Sequence, residues 1–345
     1  MRIVMLVASL WLVTSPLQGK IVFYSHRDRN TEIYTMDSNG NNPTRLTFNE
    51  ASDSSPAWSP NGQQIAFHSK RDGNWEIYVM DADGSNQRNL TRHPASDRFP
   101  DWSPDGSQIV FRSNQNADEN HRLNIFVMDA DGSNVKRVTR LKFATKPQWS
   151  PDGKRILFEG NIDQGRGVYV IRPDGRGQWR VSQPKPNTGT LLGGWSPDGK
   201  QILYVEYLNL EVWNAVAVIV TLHPRGKQQV VKREPVPVPP LDLASASWSG
   251  NGESILFAGR NRSVTFRKDG NNWEVYRFRL QDGQLTQLTN HPQDDLGPHE
   301  WNSRLPVAPQ GVRPIRWGQL KSSRLTLNLS HFLYSFDFIF PGVLE

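Results

Sequence analysis

The chain has 345 residues, no cysteine, 40 basic and 34 acidic residues, and a formal net charge of +6. The absence of cysteine excludes disulfides and a thiol-anchored lipoprotein, so the fold must be stabilised by packing alone. Because the two signs of charge nearly balance and are spread along the chain, the excess indicates solvated strand edges. We therefore expect no nucleic-acid partner.

Residues 1–19 have the composition of a secretory signal peptide. A basic Arg2 precedes an apolar stretch from Ile3 to Val13, and Gly19 is a small residue suited to cleavage. The apolar stretch is shorter than the roughly 20 residues that a stable membrane span needs. We expect a periplasmic or secreted protein with no stable membrane span; the alternative is an uncleaved hydrophobic strand that packs on the following domain.

Residues 20–304 contain six copies of a repeat centred on a tryptophan, at intervals of 44 to 53 residues. In four copies the tryptophan precedes Ser-Pro-Asp-Gly or Ser-Pro-Asn-Gly. Pro fixes one dihedral angle of such a turn and Gly accepts a positive one, so the chain reverses there. We expect the rings to wedge between neighbouring repeats. The six tryptophans are Trp58, Trp102, Trp149, Trp195, Trp248 and Trp301.

Short runs of β-branched and aromatic residues lie between the turns of each repeat. In the copy around Trp102, the segments 108–112, 124–128 and 136–139 are predicted strands. With the strand that precedes the tryptophan, each period of about 47 residues contains four short strands, as in a propeller blade. A blade with two apolar faces is stable only against its neighbours.

The sequence therefore predicts an all-β fold, a six-bladed β-propeller of four-stranded antiparallel blades. The first repeat lacks a tryptophan strand, and the last tryptophan strand has no strands after it. We expect residues 297–303 to pair with residues 20–25, which closes the ring and removes the open sheet edges. Residues 305–345 include three prolines within ten residues and are expected to form an irregular C-terminal tail.

The repeat resembles the TolB-type, WD-like propeller repeat. The resemblance rests on the Trp-Ser-Pro-Asp-Gly turns, on the run from Ile77 to Asn86, and on Arg88-Asn89-Leu90-Thr91. It implies a six-bladed propeller, exported to the periplasm or cell surface, that binds protein partners. TolB itself carries an α/β domain before its propeller; here the strand pattern follows the leader directly, so we expect the propeller without that domain.

Catalytic motifs are missing from the sequence. It has no Gly-x-Ser-x-Gly elbow, no P-loop and no zinc-ligand spacing. Some relatives of this repeat are metal-dependent polysaccharide lyases, but the strands expected to line the channel contain one histidine, His299. We expect no catalytic residues, no metal and no cofactor. The alternative is a metal-dependent carbohydrate-active enzyme of the polysaccharide lyase type, with its site in the central channel.

The favoured function is a non-catalytic, monomeric scaffold that binds a protein partner. The loops between second and third strands and the inter-blade segments vary in length, and loops on a rigid scaffold commonly carry function. Aromatic residues and arginine are favoured at interface centres. The candidate contact residues on these segments are Arg71, Trp75, Arg98, Phe99, Arg122, Arg260 and Trp273.

Overall fold

The computed structural model describes residues 19–115, 123–162, 165–182, 189–209, 214–223, 229–238, 241–261 and 272–301. The predicted leader up to residue 18 and the predicted C-terminal tail lie outside the described residues. The described chain forms six four-stranded antiparallel sheets, which confirms the predicted six-bladed, all-β propeller.

The blades are numbered I to VI in chain order, and their strands are given from the channel outward. Blade I contains β24 (Asp295–Trp301), β1 (Lys20–Ser25), β2 (Glu32–Asp37) and β3 (Thr44–Arg45). Blade II contains β4 (Asp53–Trp58), β5 (Gln64–Ser69), β6 (Glu76–Asp81) and β7 (Arg88–Asn89). Blade III contains β8 (Asp97–Trp102), β9 (Gln108–Ser113), β10 (Asn124–Asp129) and β11 (Lys136–Arg137).

The second half of the ring repeats this order with longer strands in blade V. Blade IV contains β12 (Ala144–Trp149), β13 (Ile156–Ile162), β14 (Gly165–Ile171) and β15 (Trp179–Arg180). Blade V contains β16 (Gly189–Trp195), β17 (Gln201–Asn209), β18 (Asn214–Leu222) and β19 (Val230–Pro235). Blade VI contains β20 (Leu241–Trp248), β21 (Ser254–Asn261), β22 (Glu274–Arg279) and β23 (Leu285–Gln287).

The apolar core lies between adjacent blades. Val79 of blade II, for example, is fully buried in one cluster with Trp102 and Phe111 of blade III. Residues of the middle strands are buried on both faces because each sheet is covered on both sides by its neighbours. The predicted wedging of the tryptophans between repeats follows the same pattern, since Trp149 of blade IV packs against Val110 of blade III.

The ring closes through the two ends of the described chain. Strand β24 pairs antiparallel with β1, from Lys20 opposite Trp301 to Ser25 opposite Asp295. This confirms the predicted closure, and the pairing strand begins at Asp295, two residues earlier than expected. Trp301 also donates a hydrogen bond from its indole Nε1 to the carbonyl of Pro60 in blade II, at 3.1 Å.

Turns of two kinds lie at one end of the channel. After the inner strands of blades II to VI, a tight turn of the Ser-Pro-Asp-Gly type returns the chain; in blade II the Gly62 amide donates to the Ser59 carbonyl at 2.9 Å. The hairpins between third and outer strands lie at the same end, where the Gly84 amide donates to the Asp81 carbonyl at 2.9 Å. We call this the tryptophan end. The opposite end, which carries the second-to-third-strand loops and the inter-blade segments, is the loop end.

None of the described segments forms a helix long and apolar enough to cross a bilayer.

Candidate functional site

The central channel opens at both ends of the ring, with different linings. At the tryptophan end, the six repeat tryptophans and their turns surround a cavity. Towards the loop end, a second cavity is lined by residues in the middle of each inner strand, together with Tyr24. Phe99 is one of these lining residues. The loop end therefore presents chemically varied side chains on a rigid frame, as a binding surface requires.

Irregular backbone shapes the loop end. Ser55, Phe99 and Lys146 have positive φ angles of 50°, 57° and 49°, and a shift of strand register occurs at each of these positions. A left-handed conformation is rare for a bulky residue such as phenylalanine. Each register shift is a β-bulge, and a bulge near a binding site commonly changes the direction of a side chain. Here Phe99 lines the channel opening. No sequence pattern predicted this bulge.

An arginine–aromatic cluster joins blades II and III at the loop end. The guanidinium carbon of Arg98 lies 4.5 Å from the ring centre of Trp75, and that of Arg112 lies 5.0 Å from the ring centre of Phe99. The ring of His68 lies between the two aromatic rings, 4.8 Å from Trp75 and 5.3 Å from Phe99, edge-on to each. Stacking of this kind holds guanidinium planes in place.

His68 serves this cluster as a neutral anchor. Its Nδ1 accepts a hydrogen bond from the Phe99 amide at 3.3 Å, and its Nε2 lies 2.7 Å from the Ser54 hydroxyl oxygen. Burial, with the nearby charges of Arg98 and Arg112, holds the pKa of His68 well below its usual range. The ring is therefore uncharged at neutral pH and fixes the position of Phe99.

Arg98 and Arg112 face each other across neighbouring strands, and no described carboxylate forms an ion pair with either, although the charge of Asp97 partly offsets that of Arg112. They are register partners of β8 and β9. The Nε atom of each is buried and has no hydrogen-bond partner. Burial and the charge of Arg98 lower the pKa of Arg112 to about 10, and burial lowers the pKa of Arg98 as well. Both residues are only half-buried, although their Nε atoms are covered.

The other predicted arginines have different surroundings. Arg71 is held within blade II, where it donates to Asp53 at 2.9 Å and lies 4.5 Å above the ring of Tyr78. Arg260 pairs with Asp242 at 3.1 Å and lies 4.8 Å above the ring of Trp273. Arg122 lies outside the described residues.

The structure thus brings three predicted residues, Trp75, Arg98 and Phe99, into one cluster. Sequence reasoning missed the other two members, Arg112 and His68. An alignment of the repeat sequences by their recurring apolar runs would have identified both residues. It places Arg112 and His68 at the same strand position in adjacent blades, directly after the phenylalanine of each run.

Polar side chains in the channel bind backbone groups of the next blade. His299 Nδ1 accepts a hydrogen bond from the Trp58 amide at 3.3 Å, and Asp101 accepts one from the Trp149 amide at 2.8 Å. Burial lowers the pKa of His299 to about 4 and raises the pKa of Asp101 to about 7. Over the described residues, no three His, Asp or Glu side chains are grouped as metal ligands. The described channel residues therefore do not fit a three-ligand metal site.

Comparisons with known proteins agree with this architecture. The family model for the tricorn protease N-terminal beta propeller domain matches residues 17–138. A 49-residue segment is 47% identical to the Tol-Pal system protein TolB of Geobacter sulfurreducens, over 14% of this chain and 11% of that protein. TolB from Acinetobacter baumannii has a similar structure, with a TM-score of 0.66 and 20% identity over 82% of this chain and 66% of that chain.

An enzyme shares the fold as well. The oligogalacturonate lyase from Vibrio parahaemolyticus has a TM-score of 0.53 and 14% identity over 79% of this chain and 74% of that chain.

The fold and its repeats define a six-bladed β-propeller protein. More particularly, the chain is similar to TolB-type propeller proteins, in sequence over the 49-residue segment and in fold over most of its length. The matched regions span less than two thirds of both TolB proteins.

Proposed function

We propose that this chain is a non-catalytic propeller that binds a protein partner at the loop end of blades II and III. The observation that carries the proposal is the cluster of Trp75, Arg98, Phe99 and Arg112 on the rim of the channel. Two aromatic rings and two arginines on a rigid scaffold have the composition of an interface centre. The similarity to TolB proteins, one of which belongs to the Tol-Pal system, supports a protein partner.

The proposed compartment is the periplasm or the cell exterior, and the proposed state is a monomer. The signal-peptide composition of residues 1–19 and the TolB likeness support export. The lack of cysteine is compatible with an oxidising compartment, because no thiol is present to form unwanted disulfides.

Partner capture from an envelope extract tests the docking surface. We expect the immobilised wild-type protein to retain a partner that Trp75→Ala loses, because truncation of a central interface aromatic typically costs 2 kcal/mol or more, about thirtyfold in affinity. The matched control is Arg155→Ala, which removes an arginine stacked on Trp195 at the tryptophan end. Equal capture by Trp75→Ala and wild type, with both proteins folded by circular dichroism, would refute the proposed surface.

The second candidate is a carbohydrate-active enzyme of the polysaccharide lyase type, which the fold of the oligogalacturonate lyase favours. The described channel offers that candidate no three-ligand metal group. We expect incubation of the purified protein with oligogalacturonate and added divalent metal to leave the oligomer length unchanged in chromatography. Shortened products would replace the binding proposal with the enzymatic one.

A further inference from the structure

One cross-strand position is filled differently in blade III from every other blade. The second residue of each inner strand lies opposite a residue of the second strand, and all six pairs are described. In order from blade I they are Leu296–Tyr24, Ser54–His68, Arg98–Arg112, Thr145–Glu159, Thr190–Glu206 and Asp242–Arg260. Blade III alone sets two like charges against each other at this position.

The charged residues at this position elsewhere in the ring have a partner of opposite charge: Glu159 pairs with Lys146, and Glu206 with Arg233. Asp242 and Arg260 form an ion pair at 3.1 Å. Ser54 and His68 are 2.7 Å apart at their polar atoms. In blade III the Nε atoms of Arg98 and Arg112 are buried without a partner. Like charges directly opposite each other on neighbouring strands destabilise a sheet, so this pair costs the free protein stability.

The geometry of the pair suits a planar anion. Trp75 and Phe99 hold the two guanidinium groups by stacking, so little freedom is lost when a ligand binds. A guanidinium group presents a fork of N–H donors that matches the two oxygens of a carboxylate. The flanking aromatic rings supply apolar surface for the methylene groups that carry such a carboxylate.

We propose that Arg98 and Arg112 form a carboxylate subsite that binds an Asp or Glu side chain of an acidic peptide segment. This inference rests on the proposed function, because it names the chemistry of the partner segment at the same surface. Binding of the carboxylate neutralises the repulsion between the two arginines and satisfies donors that the protein leaves free.

Fluorescence anisotropy with fluorescein-labelled hexaglutamate tests the subsite directly. We expect saturable binding that weakens with added NaCl, because the contact is charged and partly exposed. Arg98→Gln and Arg112→Gln should each weaken binding at least tenfold, the loss of one charge-assisted hydrogen bond. The matched control is Arg155→Gln, which removes an arginine that stacks on Trp195 at the tryptophan end. This variant should bind hexaglutamate as tightly as the wild type.

Three results would overturn the subsite: no saturable binding of hexaglutamate, equal weakening in Arg155→Gln, or equal binding of hexaglutamine. Tighter binding of a hexapeptide that carries one phosphoserine in place of glutamate would overturn the assignment to carboxylate. Thermal unfolding without peptide is an independent check. Arg112→Gln should melt at or above the wild-type temperature because it removes the repulsion, and a lower melting temperature contradicts the argument.

The two proposals fail in different ways. If Trp75→Ala abolishes partner capture while hexaglutamate does not bind, the docking surface stands and the carboxylate subsite is wrong. If hexaglutamate binds through the arginines while Trp75→Ala captures the partner as well as the wild type, the subsite stands and the proposed protein-binding surface is wrong.

Discussion

At the scale of single residues, Asp53 and Asp97 occupy the same repeat position but have different electrostatic surroundings. Each begins the inner strand of its blade and is buried. Asp53 accepts a hydrogen bond from Arg71 at 2.9 Å. In blade III the loop position that holds Arg71 in blade II is Gln115. No described arginine or lysine forms an ion pair with Asp97, and the charge of Arg112 acts on it only weakly compared with burial. One substitution between repeats thus leaves a buried carboxyl group without its cation.

The consequence is a raised pKa for Asp97. Burial raises it to about 7 and the charge of Glu76 adds to the rise, while Ser113, Thr91 and Arg112 act in the opposite direction. Because the folded-state pKa lies above the usual value of 3.8, the folded protein binds more protons than the unfolded chain at intermediate pH. The free energy of unfolding therefore falls as pH rises from about 4 to about 7. Asp101, with a pKa also raised to about 7, adds a second contribution of the same sign.

Replacing Asp97 by asparagine should remove its share of this pH dependence. We expect Asp97→Asn to be more stable than wild type at pH 8, on the order of 2 kcal/mol, because one pKa unit corresponds to about 1.4 kcal/mol. At pH 4 the two proteins should be nearly equal. Urea unfolding at both pH values measures the difference.

Asp53→Asn is the matched control for this prediction. It breaks the pair with Arg71 and should destabilise the protein by about 2 kcal/mol at pH 8, in the opposite direction. Destabilisation by both substitutions at pH 8 would show that Asp97 is as well compensated as Asp53.

At the scale of elements, the turns after the inner strands of blades II and III share a backbone constraint but differ in their contact with the adjacent blade. Gly62 has a φ of +68° and Gly106 a φ of +72°, so both turns require left-handed backbone. A Cβ atom at Gly62 would lie 2.6 Å from Cζ2 of Trp301, whereas one at Gly106 would meet nothing nearer than Pro60 at 3.9 Å. The turn of blade II therefore also accommodates the tryptophan that closes the ring.

Alanine substitutions separate these two constraints. Gly106→Ala should cost about 1 kcal/mol, the cost of left-handed backbone in a non-glycine residue. Gly62→Ala should cost about 1–3 kcal/mol more because the added methyl group overlaps the indole of Trp301. Urea unfolding of the two variants measures the difference, and equal losses would mean that the indole moves aside without penalty.

The strands themselves were largely predictable because their apolar runs recur in every repeat. The sequence also indicated the closing strand, since the tryptophan strand at Trp301 had no strands after it. The bulge at Phe99 was not predictable, because the same left-handed position is filled by Ser55 and Lys146 in the adjacent blades, and none of these three residue types favours that conformation. Likewise, Arg71 and Arg98 look alike as candidate contacts in sequence, and only the positions of the carboxylates distinguish them.

At the scale of the whole molecule, closure makes the first and last blades part of one cooperative unit. Trp301 packs against the cluster that contains Trp58 and Ile65 of blade II, while its strand pairs with the first strand of the described chain. In a closed ring each blade supports two neighbours, so no terminal repeat is free to unfold alone.

Trp301→Ala tests this cooperativity. We expect a loss of about 3 kcal/mol, typical of removing a large packed aromatic side chain. Unfolding should remain a single transition that coincides in tryptophan fluorescence and circular dichroism. The control Val135→Ala, at a residue 43% exposed, should leave the curve unchanged. A separate early transition in Trp301→Ala would indicate that the ring behaves as an open array.

The sequence by itself determined the number of blades, their strand order and the closure of the ring. These features follow from local periodicity: a tryptophan and an apolar run, each repeated six times, specify the same unit wherever they occur. Only the tertiary structure decided which charged groups are compensated. Arg98 and Arg112 are 14 positions apart in the chain, yet strand register sets them opposite each other, and Trp75, which stacks on Arg98, comes from blade II. Whether a charge is compensated depends on the distances between side chains of neighbouring strands and blades, and the sequence of one repeat does not encode those distances.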